Sequence, residues 1–311
     1  VLKDAAAAAI YGSRATNGVI LLTTKKGQSG KTNITYNAQF GWTSMAVKQF
    51  EMASAKETVE YFHEGLANYY MRANPNLSYS EARELGVSGG QFTLNTFFED
   101  PFGTTNTNWK KQVYGTGFSQ DHQVSLSGGN DKTKVFASLG YNDTEGYVHG
   151  NNFERYSGRL NVDHQINQKF STSFKQSIAY RKDWGGRDQH DQAQGMGTSS
   201  PLSIMLSMDP TAKIYNEDGS INRNAAIGSS KVSNPLLMLG SSDEFIRVST
   251  FRSLSNGDIT YKILPELTLK TTAAYDYINS KTFEFWSPES VNGQSLGGLG
   301  YKYQYTKVTI T

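Results

Sequence analysis

The sequence predicts an all-β membrane fold, an antiparallel up-and-down β-barrel sheet of about eight strands. Three observations predict it. Apolar and polar residues alternate with a period of two in segment after segment. Short and long connections alternate between those segments. The chain holds 18 Tyr, 16 Phe, 4 Trp and 30 Gly in 311 residues, yet no apolar run approaches the roughly 18 residues that a membrane helix needs. Many aromatics and glycines in a polar chain suit strands with one greasy and one wet face.

The strands follow in order. In KTNITYNAQFGW, Ile34, Tyr36, Ala38, Phe40 and Trp42 alternate with Asn33, Thr35, Asn37 and Gln39. HQVSLSG sets Val124 and Leu126 against Gln123, Ser125 and Ser127. KVFASLGY brings Val135, Ala137, Leu139 and Tyr141 to one side. RYSGRLNVDHQI opposes Tyr156, Leu160, Val162 and Ile166 to Arg155, Arg159, Asn161, Asp163 and Gln165. FSTSFKQSIAY opposes Phe170, Phe174, Ile178 and Tyr180 to Ser171, Ser173, Lys175 and Ser177. LTLKTTAAYDY opposes Leu267, Leu269, Ala273, Tyr275 and Tyr277 to Thr268, Lys270 and Asp276. Two further strands are expected over 247–263 and 302–311, with less regular alternation.

GGNDK at 128–132, NQK at 167–169 and LPE at 264–266 are tight-turn sequences. The links expected over 43–120, 142–154, 181–244 and 279–300 are long. Brief turns at one end and long loops at the other are the plan of outer-membrane barrels. Phe170 and Tyr180 share a face ten residues apart, about 33 Å of strand at about 3.3 Å per residue. Tilted by about 40°, that length rises roughly 25 Å, the height of a barrel's apolar band. A soluble β-sandwich would use the same alternation to pack two sheets; the loop asymmetry favours the barrel.

Charge is nearly balanced, with 30 Lys and Arg against 28 Asp and Glu, so nothing marks a nucleic-acid partner. There is no cysteine, which excludes thiolate catalysis, Cys-ligated zinc and disulfides. GVSGG at 86–90 matches G-x-S-x-G, but that nucleophile elbow needs a strand before the serine, and here the helical pattern SYSEARELG precedes Ser88. His63-Glu64 lacks a second His, because Ala67 stands in its place. Arg187, Asp188, His190 and Asp191 form a polar loop that reads as solvated rather than metal-binding. No catalytic, cofactor or metal site is therefore expected. Inside the first long loop, Ser54 and Glu57 form a capping box. It opens a helix over 54–71, with Val59, Phe62, Leu66 and Tyr69 or Tyr70 on one face.

The opening stretch LKDAAAAAIYGSRATNGVILLTTKKG resembles the end of the plug domain in SusC/RagA-type TonB-linked outer-membrane transporters. Further motifs stand in that family's order. They are VYGTGFSQDHQVSLSGGNDKTK after Trp109, FASLGYNDTEGYV, NNFERYSGRLNVD, an EDGS loop at 217–220, NPLLML at 234–239 and YKILPELTLKTTAAYDY at 261–277. The resemblance spans essentially the whole chain. It implies that residues 1–27 are the plug's last helix and strand, with the plug motif at Tyr11, Gly12, Arg14, Asn17 and Gly18. Residues 28–311 would then be the first part of a barrel, about eight strands of twenty-two, and the chain a fragment. An eight-stranded barrel is filled by its own side chains, which agrees that these strands are not the whole object.

The resemblance further implies active import of oligosaccharides or peptides across the bacterial outer membrane. The implied partners are a SusD-like surface lipoprotein as lid, the TonB protein energised through ExbB and ExbD, and outer-membrane lipid; no cofactor is implied. Trp184, Asp188 and His190 are candidate substrate-binding residues, because a Trp among polar residues and glycines suits stacking on a sugar ring. Two other readings stay open, a surface adhesin and a soluble β-rich carbohydrate-binding protein.

Overall fold

The computed structural model describes residues 25, 27–46, 51–185, 204–223, 225, 227, 234–240, 243–290, 293 and 296–311. Eight strands lie side by side in chain order in one antiparallel sheet. They are β1 (Gly30–Thr43), β2 (Gly117–Gly129), β3 (Thr133–Glu145), β4 (Asn152–Gln165), β5 (Phe170–Gly185), β6 (Glu244–Leu264), β7 (Leu267–Trp286) and β8 (Leu299–Ile310). The plug motif at Tyr11, Gly12, Arg14, Asn17 and Gly18 lies outside the described residues, as do Asp188 and His190.

Register turns the sequence alternation into two faces. Ile34 pairs with Leu126, Leu126 with Ala137, and Ala137 with Leu160. Because side chains alternate, every residue of matching parity shares that face. Among the described residues no other layer covers it: Leu139 is 71% exposed, Leu160 40%, Phe174 46% and Ile178 44%. A β-sandwich would have buried them. The opposite face carries Arg155, Arg159, Asn161 and Asp163 on β4, and the chain entering β1 crosses it. There Asn161, 3% exposed, donates from Nδ2 to the Lys25 carbonyl at 2.7 Å.

Two of the tight turns share one chemistry. Asn130 Oδ1 accepts the N–H groups of Lys132 and Thr133 at 2.9 and 2.8 Å. Asn167 Oδ1 accepts those of Lys169 and Phe170 at 2.8 and 2.9 Å. A side-chain carbonyl thus stands in for a backbone acceptor and closes the turn. Gly129 is required beside the first turn, since a Cβ there would lie 2.2 Å from the Thr133 carbonyl oxygen.

All four links expected to be long come out shorter. The link expected over 142–154 shrinks to 146–151, because β3 and β4 continue pairing out to Glu145 and Asn152. Likewise β5 runs on through Arg181 to Gly185, so the third long link begins later than expected. The first ends early because β2 starts at Gly117, and the fourth shrinks from 279–300 to 287–298 because Trp286 still pairs with Leu299. In these places the strands extend past the apolar band, where composition turns polar but backbone pairing continues.

At the loop end, α1 (Ala55–Ala73) begins at Ser54. Its hydroxyl accepts the Glu57 N–H while the Glu57 carboxylate accepts the Ser54 N–H at 2.8 Å, the expected capping box. Tyr70, not Tyr69, joins Val59 and Leu66 on the buried face. Next come α2 (Tyr79–Glu84), a π-helical turn (Leu85–Gly89), α3 (Leu94–Phe97) and α4 (Trp109–Val113). Ser88 follows helix rather than strand, the wrong context for a nucleophile elbow. Trp109, Val113, Val148, Ile204, Met208 and Met238 form one small core, so three successive loops fold together.

Candidate functional site

The outward face has an aromatic row where the apolar band ends. Through register, His122, Tyr141, Tyr156, Tyr180 and Phe251 stand side by side on β2 to β6. Tyr141 and Tyr156 rings are 5.1 Å apart, and Tyr36 Oη lies 2.7 Å from His122 Nδ1. One step nearer the loops the row is polar, with Gln120, Asp143, Glu154 and Lys182. Near the tight turns, Phe170 stacks on Tyr261 at 4.3 Å. Rings with apolar bodies and polar tips belong at a membrane–water boundary. No described helix is long and apolar enough to cross a membrane; the strands are the crossing elements.

The inward face is a wall of fixed charges. Arg252 grips Asp276 with two hydrogen bonds, of 3.0 and 2.8 Å. Arg181 grips Asp183 the same way, at 2.7 Å each. Forked guanidinium–carboxylate pairs hold their geometry, so the wall presents ordered polar groups to a wet bore.

Near the loops the inward face changes character. Tyr301, Tyr303 and Tyr305 project from β8 on the same side as Glu284 and Trp286, because Glu284 pairs with Tyr301 and Trp286 with Leu299. The three tyrosines are 42%, 54% and 53% exposed, and the first two rings stack at 6.2 Å. Trp286 Nε1 donates to Glu284 Oε1 at 2.9 Å, and Tyr301 Oη donates to Oε2 at 2.5 Å. A carboxylate fixed from both sides beside open aromatic rings suits a ligand with flat apolar faces and hydroxyl or amide donors. Sequence reasoning missed this group, although the signal was the plain Y-x-Y-x-Y of 301–305.

Trp184 lies elsewhere. It shares parity with Phe174, Ile178 and Tyr180 on β5 and pairs with Arg247, which puts it on the outward face and away from the bore. The parity count that places it was readable, but the segment from Arg181 onward was expected to be loop.

The loop layer supplies a cavity of about 530 Å³ bordered by Met45, Met52, Asn106, Trp109, Lys110 and Tyr114. Trp109 Nε1 donates to the Asp209 carbonyl at 2.7 Å. Hydrogen bonds from the Arg83 guanidinium, at 2.8 and 3.0 Å, hold the Glu60 carboxyl below its ordinary range. His63 is structural: Arg83 Nη2 donates to Nδ1 at 2.8 Å, and Nε2 donates to the Arg83 carbonyl at 2.9 Å. Among the described residues no group of His, Asp and Glu is placed to hold a metal ion.

No family model matches the chain. It is 30% identical over 327 residues to the TonB-dependent receptor SusC of Bacteroides thetaiotaomicron, covering 98% of this chain and 29% of that protein. It is 28% identical over 318 residues to the TonB-dependent receptor P3 of Formosa agariphila, covering 100% and 28%. The RagAB peptide transporter structure superposes on 99% of this chain and 35% of that one, with a TM-score of 0.76 at 23% identity. The RagAB peptide importer in its closed-closed state does so with a TM-score of 0.73 at 22% identity. The chain spans less than a third of the length of these curated relatives. With a bare apolar outward face, a polar bore face and this likeness from end to end, it belongs, as part of a barrel, to the SusC/RagA-type TonB-dependent receptors of the bacterial outer membrane.

Proposed function

We propose that the chain supplies the end of the plug (1–27) and the N-terminal part of the barrel wall (28–311) of an active importer of oligosaccharides or peptides. The two-faced sheet carries this reading. Its outward side is fit for acyl chains, while its inward side holds ordered charges and, at the loop end, exposed tyrosines around a fixed carboxylate. In this scheme the Tyr301, Tyr303, Tyr305, Trp286 and Glu284 group receives substrate at the mouth. The plug motif, Tyr11 to Gly18, closes the bore below. Asp188 and His190 remain loop candidates for substrate contact. A SusD-like lipoprotein covers the folded loop layer, and TonB, driven through ExbB and ExbD, pulls the plug. Work done on the plug must come from the inner membrane's proton gradient, since the outer membrane maintains none.

Uptake of labelled oligosaccharides and peptides by cells carrying the full-length gene tests this. Import is expected that stops when TonB is deleted, and Tyr303→Ala should weaken substrate binding by about tenfold through loss of an aromatic contact. Capture of ligand at the surface, with no TonB-dependent entry, would instead identify an adhesin.

A further inference from the structure

Just beyond the aromatic row, the outward face of β5 to β8 turns strongly basic. Lys182, Arg247, Lys281 and Lys302 surround a shallow cavity of about 250 Å³ that Tyr180, Trp184, Phe283 and Asp183 also border, the Asp183 carboxylate being held by Arg181 on the inward parity of β5. Register explains the grouping. Trp184 pairs with Arg247, Arg247 with Phe283, and Phe283 with Lys302, while Ser249 pairs with Lys281. Four cations from four strands therefore occupy adjacent positions on one surface. Lys182 alone has an acidic partner there, Glu154 at 3.3 Å. No carboxylate among the described residues pairs with Arg247, Lys281 or Lys302, all three of which are exposed. On the outward side of β6, β7 and β8 this stretch holds Ser249, Gln304 and no acid at all.

Height decides what such a patch meets. Lys182 and Trp184 lie two and four residues beyond Tyr180, about 7 and 13 Å along the strand. At a tilt of about 40° these become roughly 5 and 10 Å above the aromatic row, within the headgroup layer rather than the acyl core. The patch is at the long-loop end, which faces the outer leaflet. Cations there contribute to attraction for anionic headgroups, and the rings of Trp184 and Phe283 offer flat apolar faces to a sugar. Lys182 Nζ already sits 5.8 Å over the Trp184 ring, so cation and ring are near enough to meet one ligand.

We propose that Arg247, Lys281 and Lys302, with Lys182, Trp184 and Phe283, form a binding site for the phosphorylated sugar headgroup of an outer-leaflet glycolipid. The site rests on the reading of the outward face as lipid-facing. It is separate from the mouth group, which lies on the other side of the same sheet.

The test uses the full-length receptor in mild detergent, with native mass spectrometry reading retained ligand. The probes are bisphosphorylated lipid A, the same lipid A stripped of phosphate, phosphatidylethanolamine and inorganic phosphate. Bisphosphorylated lipid A is expected to be retained over the other lipids. The triple variant R247Q/K281Q/K302Q should lower its retention on the order of 10- to 100-fold, while R247K/K281R/K302R keeps it. Both variants should migrate as folded barrels on unheated gels. Equal retention of the dephosphorylated lipid, no loss in the glutamine variant, or displacement of lipid by free phosphate alone would overturn the proposal and leave the barrel reading intact. A receptor that stays monodisperse without detergent and retains no lipid would defeat both.

Discussion

Trp109 and Ser54 show what single side chains do in the loop layer. Trp109 is 1% exposed, contacts residues from two other loops, and uses its one polar atom on the Asp209 carbonyl. Trp109→Ala should cost about 3–5 kcal/mol of local stability. Limited proteolysis is expected to cut the loops of this variant while heat-resistant migration of the barrel stays unchanged. At the start of α1, Ser54→Ala removes the cap and should cost about 1 kcal/mol, read as faster amide exchange over 55–60. The pH response of that helix has a definite sign. Hydrogen bonds from Ser54 hold the Glu57 carboxyl below its ordinary value of 4.5, as Arg83 holds that of Glu60. A depressed acid stabilises above its unfolded value and loses that contribution as pH falls through the folded one. Amide protection factors in α1, taken against the intrinsic exchange rate at each pH, should therefore fall only below about pH 4.5, and in Glu57→Gln that acid-induced loss of protection should be smaller.

At the scale of elements, the strands were the legible part. Period two gave six of the eight strands with their faces, because one side must meet lipid and the other water. The capping box gave the start of α1. What remained hidden depends on partners far away in sequence. Helical spacing left Tyr69 and Tyr70 equivalent, and the choice falls to Tyr70 because its hydroxyl both donates to the Phe92 carbonyl and accepts the Phe92 N–H, at 2.7 Å each. The same contact explains the last glycine of GVSGG: a Cβ on Gly90 would lie 2.0 Å from Tyr70 Oη. Gly90→Ala should displace Tyr70 and loosen α1 by about 1–3 kcal/mol, seen as protease sensitivity near Phe92. The alternation of β8 looked irregular for a different reason. Its lower half carries Val308 and Ile310 outward, whereas its upper half carries Tyr301, Tyr303 and Tyr305 inward and Lys302 and Gln304 outward. The pattern inverts where the strand leaves the apolar band.

For the whole molecule, one sheet separates two solvents. Cysteines introduced at Leu139 and Ser138, neighbours on β3 with opposite orientations, should report this. In the full-length receptor, a water-soluble maleimide should label Ser138→Cys, and a lipid-soluble spin label should find Leu139→Cys in a hydrocarbon environment. Similar labelling at both positions would contradict a barrel wall. By itself the 311-residue chain should aggregate in detergent-free buffer, with β1 and β8 as open edges and a continuous apolar outward surface between them.

The inversion along β8 also does something for assembly. A slip of one residue against β7 would swing three tyrosines into the headgroups and send Lys307 toward the hydrocarbon, two penalties from one error. The strand thus carries its own waterline: the residues that choose its partner alignment also fix how deep the wall floats.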